Sequence, residues 1–279
     1  MIIKCWGSRG SIPVSGRQYV TYGGDTTCLE ITAGSGETVI VDAGTGIRRL
    51  GRQLLEKDVS CYYLLLTHCH WDHLLGLPFF SPLLCPRSRL VVQDRMFAGF
   101  STRQVMARVM SQPFFPVGMN QLHADIRFDP GLNGSFHIGS LKIDTIPTSH
   151  SAGSLGYRFA ENDKIFVLLT DNELGFAHPQ SQGFDGYRRF SEGADILFHD
   201  AEYTEEEYQH RKGWGHSSIS QTLTLAAKAG VGQLGLIHLN QERSDREMDA
   251  IVQDSVLFFT SQNSKIICYG VTCDFEITL

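Results

Sequence analysis

The chain lacks any hydrophobic run near the ~18 residues that cross a bilayer. It also lacks a C-x-x-C pair, a low-complexity segment and a surplus of basic residues. The first absence argues against a membrane span. The N-terminus, M-I-I-K-C-W-G, enters strand-like sequence without the basic, apolar and small-residue succession of a secretory leader, so no secretion or membrane anchor is implied. Seven cysteines, an odd number, argue against a disulfide framework. Several sit in apolar segments, where a free thiol acts as a small hydrophobe. The expectation is a reducing, cytoplasmic setting. Lys and Arg number 24 against 30 Asp and Glu, a formal charge of −6, so the overall charge does not recruit a nucleic-acid backbone. A local basic patch stays open.

What the chain does have is imidazole and carboxylate at the ends of apolar runs. Cys61–Leu77, C-Y-Y-L-L-L-T-H-C-H-W-D-H-L-L-G-L, begins as a strand buried on both faces. Past Thr67 it offers four coordinating side chains: His68, His70, Asp72 and His73. Such groups at the exit of a buried strand are costly unless bound, and a divalent metal is the usual partner. Cys69 is a poor further ligand, because neighbours in an extended chain point opposite ways. The pattern recurs. Leu141–Ile146 leads to His150, Lys164–Leu169 to Asp171, Asp195–Phe198 to His199 and Asp200, and Gln233–Ile237 to His238. If these exits share one edge, the set His68, His70, Asp72, His73, His150, Asp171 and His238 suits two metals with a shared carboxylate and a bridging hydroxide, fit for phosphoester hydrolysis. Asp42, ending an apolar strand, reads as a ligand, or as a residue that supports one or caps a turn.

Elsewhere, residues 27–33 and 38–41 read as a hairpin, and residues 47–57 as a helix whose arginines form a solvated face. The loop G-S-R-G-S-I-P reads as a turn in preference to an anion-binding loop. In Q-P-F-F-P the two prolines hold Phe114 and Phe115 rigidly, as a core plug or as an apolar wall over a pocket. No linker divides the 279 residues. The expectation is a single domain, 1–279, of two βα-rich halves, with a compact insertion around 96–125 covering the active site.

T-H-C-H-W-D-H, the later His, Asp and His, the D-A-G-T-G-I turn and the G-S-R-G-S-I-P start resemble the metallo-β-lactamase superfamily from residue 2 to about residue 249. The resemblance implies an α+β fold, a four-layer αββα sandwich. Within the superfamily the chain is more similar to the phosphodiesterase branch that includes ribonuclease Z, since His199-Asp200-Ala201-Glu202 resembles its H-E-A-T motif with Asp200 for the glutamate. Carried over, the resemblance gives one metal to His68, His70 and His150, the other to Asp72, His73 and His238, and Asp171 as the bridge. Asp200, His216 and Asp72 become the catalytic candidates, His216 binding the phosphate or protonating the leaving oxygen. Phe114, Phe115 and His216 are the substrate-binding candidates. His199 reads as a buried, hydrogen-bonded histidine, and His123, His137, His178 and His210 as surface or loop residues.

The chain departs from ribonuclease Z in having no glycine- and proline-rich basic arm, which, with the negative charge, argues against a nucleic-acid partner without excluding one. Proteins similar along the whole length are described as metal-dependent phosphohydrolases or cyclic-nucleotide phosphodiesterases. The expected function is a dinuclear metal-dependent hydrolase, a phosphodiesterase acting on a small or cyclic phosphodiester. Zn or Mn comes first as the metal, with Fe allowed. The partner is a small-molecule phosphoester, with no membrane, and a homodimer is left open. The alternatives are an RNA 3′-processing endonuclease, a thioester or lactone hydrolase on the same metal core, and a non-catalytic metal-binding sensor.

Overall fold

The computed structural model describes residues 1–57, 59–150 and 153–279. The first half supplies β1 (Ile2–Gly7), β2 (Cys28–Thr32), β3 (Thr38–Val41), β4 (Cys61–Leu65) and β5 (Arg89–Gln93), then a small hairpin, β6 (Met96–Phe97) and β7 (Phe100–Ser101), and β8 (Asp125–Asp129). The second half supplies β9 (Ser135–Ile138), β10 (Leu141–Pro147), β11 (Leu155–Glu161), β12 (Lys164–Leu169), β13 (Ile196–Asp200), β14 (Gln233–Ile237), β15 (Ile267–Gly270) and β16 (Glu276–Thr278). The helices are α1 (Ile47–Glu56), α2 (Thr102–Val109), α3 (Gly183–Phe190), α4 (Glu205–Gln209), α5 (Ile219–Ala229) and α6 (Asp245–Ser261).

Two seven-stranded sheets form, ordered β16-β1-β2-β3-β4-β5-β8 and β15-β14-β13-β12-β11-β10-β9. β16 returns to pair antiparallel with β1, so the last strand joins the first sheet. One apolar cluster fills the space between the sheets, with Ile3, Ile31, Val41 and Leu65 facing Phe159, Phe166, Leu168 and Phe198. A second cluster seats α1 and Met106 of α2 on the outside of the first sheet. A third seats Tyr187 of α3, Leu225 of α5 and Phe259 of α6 on the outside of the second. These layers are the αββα sandwich. β4 has both faces covered, Tyr62 and Leu64 by the outer cluster and Leu65 by the inner one.

Local rules account for the helices. α1 buries Ile47, Leu50 and Leu54 along one stripe. The starts of α2, α4, α5 and α6 each carry a capping box: Ser101/Gln104, Thr204/Glu207, Ser218/Gln221 and Ser244/Glu247. The expected solvated arginine face of α1 holds for Arg48 and Arg52 but not for Arg49. Arg49 instead donates to Asp25, Asp274 and the carbonyls of Trp6 and Cys273, because its turn of α1 lies against the loops flanking β1.

Each sheet is half parallel: β3, β4, β5 and β8 run together in one, and β12 to β15 in the other. Side chains at the carboxyl ends of parallel neighbours converge on one sheet edge, where binding sites collect in α/β sheets. Three exits turn sharply: Asp42, Asp171 and His238 have φ of 64°, 49° and 58°. Non-glycine residues rarely adopt this left-handed conformation, and the strain collects at functional sites.

The G-S-R-G loop does not bind an anion through its arginine. Arg9 is fully buried and donates to the carbonyls of Gly23, Asn240 and Arg243. It thereby ties the first loop to the segment after His238. Arg9→Met should cost about 2–4 kcal/mol in urea unfolding, since three carbonyls lose a charged donor. An unchanged midpoint and slope would show that water replaces the guanidinium freely.

Candidate metal centre

All seven His and Asp side chains read from the sequence meet at the common edge of the two sheets. They form two groups, His68/His70/His150/Asp171 and Asp72/His73/Asp171/His238, with the ligating atoms of each group within 4.8 Å of one another. Asp171 belongs to both. Its carboxylate oxygens lie 3.5 Å from His68 Nε2, 3.2 Å from His73 Nε2, 3.8 Å from His150 Nε2 and 3.4 Å from His238 Nε2. Asp72 Oδ2 is 3.2 Å from His73 Nε2 and 3.1 Å from His238 Nε2.

The other nitrogen of four of these imidazoles is held from behind. His73 Nδ1 lies 2.8 Å from Asp42 Oδ2, and Thr67 donates both N–H and Oγ1–H to the same carboxylate. His238 Nδ1 lies 3.0 Å from Glu202 Oε2, His150 Nδ1 lies 3.0 Å from the Gly215 carbonyl, and His68 Nδ1 lies 3.1 Å from Thr67 Oγ1. Such partners fix tautomer and ring orientation in metal-binding histidines. His70 differs: it is exposed and brings Nδ1 to 3.1 Å from His150 Nε2. Two glycines allow backbone to rest on these rings. A Cβ at Gly10 would lie 2.3 Å from His238 Nδ1, and one at Gly215 (φ +94°) 2.0 Å from His150 Nδ1.

The donor set fits divalent cations. Among the described residues His68 Nε2 is buried with no hydrogen-bond partner, and His73 Nε2 is wedged between the Asp72 and Asp171 carboxylates at 3.2 Å from each, a cost and a crowding that coordination removes. The electrostatics agree. Burial alone would raise Asp171, but the charges of His238, His73 and His68 hold its carboxyl well below the usual range. Burial would likewise lower His73 and His238, yet the adjacent carboxylates raise both. Burial pushes His68 down, and His150 to about 3. The carboxylates thus gather positive charge at His73 and His238, where a bound cation would take the place of the protons, and the other imidazoles are held neutral, the form that binds a metal.

Beside this set stands the expected pair: His216 Nδ1 is 2.8 Å from Asp200 Oδ2 and 3.5 Å from Glu202 Oε2. The His216 ring stacks on His238 at 4.7 Å between centroids. Burial opposes its protonation, but Glu202 and Asp200 raise it to about 9.

Sequence reasoning missed Glu202 and Glu173. Glu202 holds His238 and follows Asp200 by two residues, so period-2 reading of the strand exit was the available signal. Glu173 is buried, accepts from Tyr208 Oη and from the N–H groups of Gly213 and Gly215, and lies 2.9 Å from His178 Nε2. It fixes the loop that carries His216, and nothing local in the sequence marks it. Cys69 joins neither ligand group among the described residues. It packs instead against the outer cluster of the first sheet. Phe114 and Phe115 part company. Phe114 is 74% exposed on an apolar cavity that His70 also lines, whereas Phe115 packs on that outer cluster and edge-on to Phe79.

His199 is buried, as expected, and neutral. Its Nε2 faces Asn172 Nδ2 at 3.1 Å and its Nδ1 the Asp200 carbonyl at 2.7 Å, while Asn172 Oδ1 accepts from Ser149 N–H. Burial lowers its pKa from 6.5 to about 4, only partly opposed by the Asp200 carbonyl. Between those values the unfolded chain binds the proton and the folded chain does not. Stability is therefore full above pH 6.5 and falls as pH drops through this window, by about 3 kcal/mol at its lower end. In urea titrations of metal-free protein, His199→Gln should flatten this acid slope. An unaltered slope would assign the loss to other groups.

A family model described as the β-lactamase superfamily domain matches residues 37–239. Ribonuclease Z of Haloarcula marismortui is 23% identical, with 86% of each chain covered. Two solved structures share the fold. A metallo-β-lactamase fold protein of Bacillus subtilis, YhfI, has a TM-score of 0.67 at 15% identity over 99% of both chains. A diphosphatase of the PhnP family has a TM-score of 0.67 at 18% identity, covering 100% of this chain and 97% of that one.

Proposed function

The chain belongs to the β-lactamase superfamily and has its metallo-hydrolase fold; from there we propose that it is a phosphodiesterase of small substrates that uses two divalent cations. The observation that carries this reading is the Asp200–His216 pair stacked against His238 beside two ligand groups that share Asp171. His68, His70 and His150 would hold one cation, Asp72, His73 and His238 the other, and Asp171 both. Zn, Mn and Fe all accept such mixed imidazole and carboxylate donors. When bound, the cations supply Lewis acidity toward a phosphoryl oxygen and a water of lowered pKa.

The protein supplies the rest. Asp42 and Glu202 hold the rings of His73 and His238 so that each Nε2 points inward. Asp200 engages His216 Nδ1, which leaves Nε2 to donate to a phosphoryl or leaving oxygen. Near neutral pH His216 carries the proton this role needs, because Glu202 and Asp200 favour its charged form. The segment 96–125 contributes the apolar cavity at His70 and so shields the substrate on that side.

A second reading, an RNA 3′-processing endonuclease, is supported by the curated relatives named ribonuclease Z. Metal analysis of protein purified without chelator, joined to hydrolysis of bis(p-nitrophenyl) phosphate, an acyl thioester and a precursor transfer-RNA transcript, separates the readings. We expect close to two cations per chain and turnover of the aryl diester only. Cleavage of the transcript at its 3′ side would favour the second reading. Turnover of the thioester alone, or the absence of metal, would sink both.

A further inference from the structure

Two dissimilar cavities flank the row of imidazoles at the site. The first, about 540 Å³, is lined by Trp71, Phe97, Phe100, Val105, Arg108 and Phe114, and His70 forms its inner end. Its cationic side chain, Arg108, lies over the Phe100 ring at 3.8 Å from the centroid, and no carboxylate lines it among the described residues. Trp71 and Phe114 are 57% and 74% exposed. Contiguous aromatic surface left open beside a polar centre marks a binding face. The second cavity, about 300 Å³, has His216 at its inner end and is polar, with Glu202, Tyr203, Glu207, Arg211, Trp214 and Glu242 around it. Between the two lies the His150 ring, 4.8 Å from His70 and 5.2 Å from His216.

We propose that the substrate is a linear, unsymmetrical phosphodiester: its phosphate lies over His70, His150 and His216, an aromatic or alkyl arm fills the Trp71–Phe114 cavity, and an uncharged hydroxylated arm fills the Glu202–Trp214 cavity. This rests on the phosphodiesterase reading and narrows it. Arms that leave a phosphate in opposite directions suit two cavities at opposite ends of the row, whereas a cyclic diester returns both ester oxygens to one ring and leaves one cavity empty. In the polar cavity Glu207 is already paired with Arg243 and Glu202 with His238, which leaves Glu242 facing Arg211, so the charges there are close to balanced and offer a second phosphate no net attraction. On the other side it meets aromatic walls that cannot solvate it. A polynucleotide, with a phosphate at every step, fits neither side. In the reaction, water adds to phosphorus, one P–O ester bond breaks, and the departing alcohol takes up a proton, giving a phosphomonoester and a free alcohol.

The test compares 1-naphthyl glyceryl phosphate, bis(glyceryl) phosphate and cyclic adenosine monophosphate on the Zn- or Mn-loaded protein. The mixed diester should exceed each of the others in kcat/KM by about tenfold or more. Trp71→Ala and Phe114→Ala should each reduce that advantage about tenfold, through KM. In metal-free protein, NMR saturation transfer to the naphthyl protons should be present and should weaken severalfold in Phe114→Ala. Equal rates on the three diesters, or a preference that survives both substitutions, overturns the two-arm assignment and leaves the phosphodiesterase reading standing. Failure to cleave any diester with two cations bound overturns the phosphodiesterase reading itself, and the NMR result still decides whether the cavity takes the apolar arm. Absent saturation transfer, with a sedimenting dimer that both substitutions dissociate, would assign this surface to a second copy of the chain and sink the proposal.

Discussion

Asp171→Asn should leave the chain folded, bring the bound cations from about two per chain to well below one, and cut diester hydrolysis by at least ~10³-fold. Its carboxylate is the one group common to both ligand sets, and its oxygens lie 3.2–3.8 Å from four imidazole nitrogens. Asparagine keeps the shape and removes the charge. The neighbouring imidazoles then lose the anion that offsets any charge bound among them, and His73 and His238 lose much of what favours their protonated forms. The folded state should survive, because neutral imidazole can replace imidazolium at His73 and His238 and the other imidazoles are already neutral. Elemental analysis by mass spectrometry, with a thermal melt on the same sample, checks both halves. Retention of two cations and near-normal turnover would remove Asp171 from the centre.

His216→Ala should give the opposite dissociation: cations retained and hydrolysis reduced ~10²–10⁴-fold, the usual contribution of a positioned acid. The ring is outside the two groups that share Asp171, although it forms a third group with Asp200 and His238; it stacks on His238, its Nδ1 lies 4.0 Å from Asp171 Oδ2, and Asp200 lies behind it at 2.8 Å. How the loss is distributed tells which of its two roles holds. A general acid matters most when the leaving alcohol is poor, so the decrease should be larger for an alkyl glyceryl phosphate than for a p-nitrophenyl ester, and should fall on kcat. A phosphate-binding imidazolium would raise KM about equally for both. Asp200→Asn should follow the same pattern more weakly, because it loosens the ring without removing it. Full activity in His216→Ala would falsify its part in the chemistry.

Much of the candidate centre was legible because the side chains that would hold metal share a local signature, a polar side chain directly after a buried apolar run. That signature picks out His68, His70, Asp72 and His73 after β4, Asp171 after β12 and His238 after β14. A strand buried on both faces cannot end in charge without reason, and the reason is visible within ten residues. Asp42 was legible only as one of several roles. What singled it out is the reach across from β3 to His73 and Thr67, a contact of 31 positions in sequence for His73. Glu173 and Arg9 were not legible at all, since their partners lie on loops remote in sequence.

The insertion shows the same division. Proline spacing alone made Phe114 and Phe115 a rigid pair and left plug and wall equally open. Packing decides it residue by residue: Phe115 joins the core beneath, and Phe114 is turned out beside His70. The chain's own order of residues therefore determined the fold class, the inventory of candidate ligands and the pairing of His216 with an acidic residue, because each rests on short-range pattern or on a motif. Only the tertiary structure decided which side chains stand behind the ligands and that the centre opens to an apolar cavity on one side and a polar one on the other. Those features arise where two sheets meet, from segments as distant as Ser11, Phe114 and Trp214, and no local rule relates residues that only packing brings together.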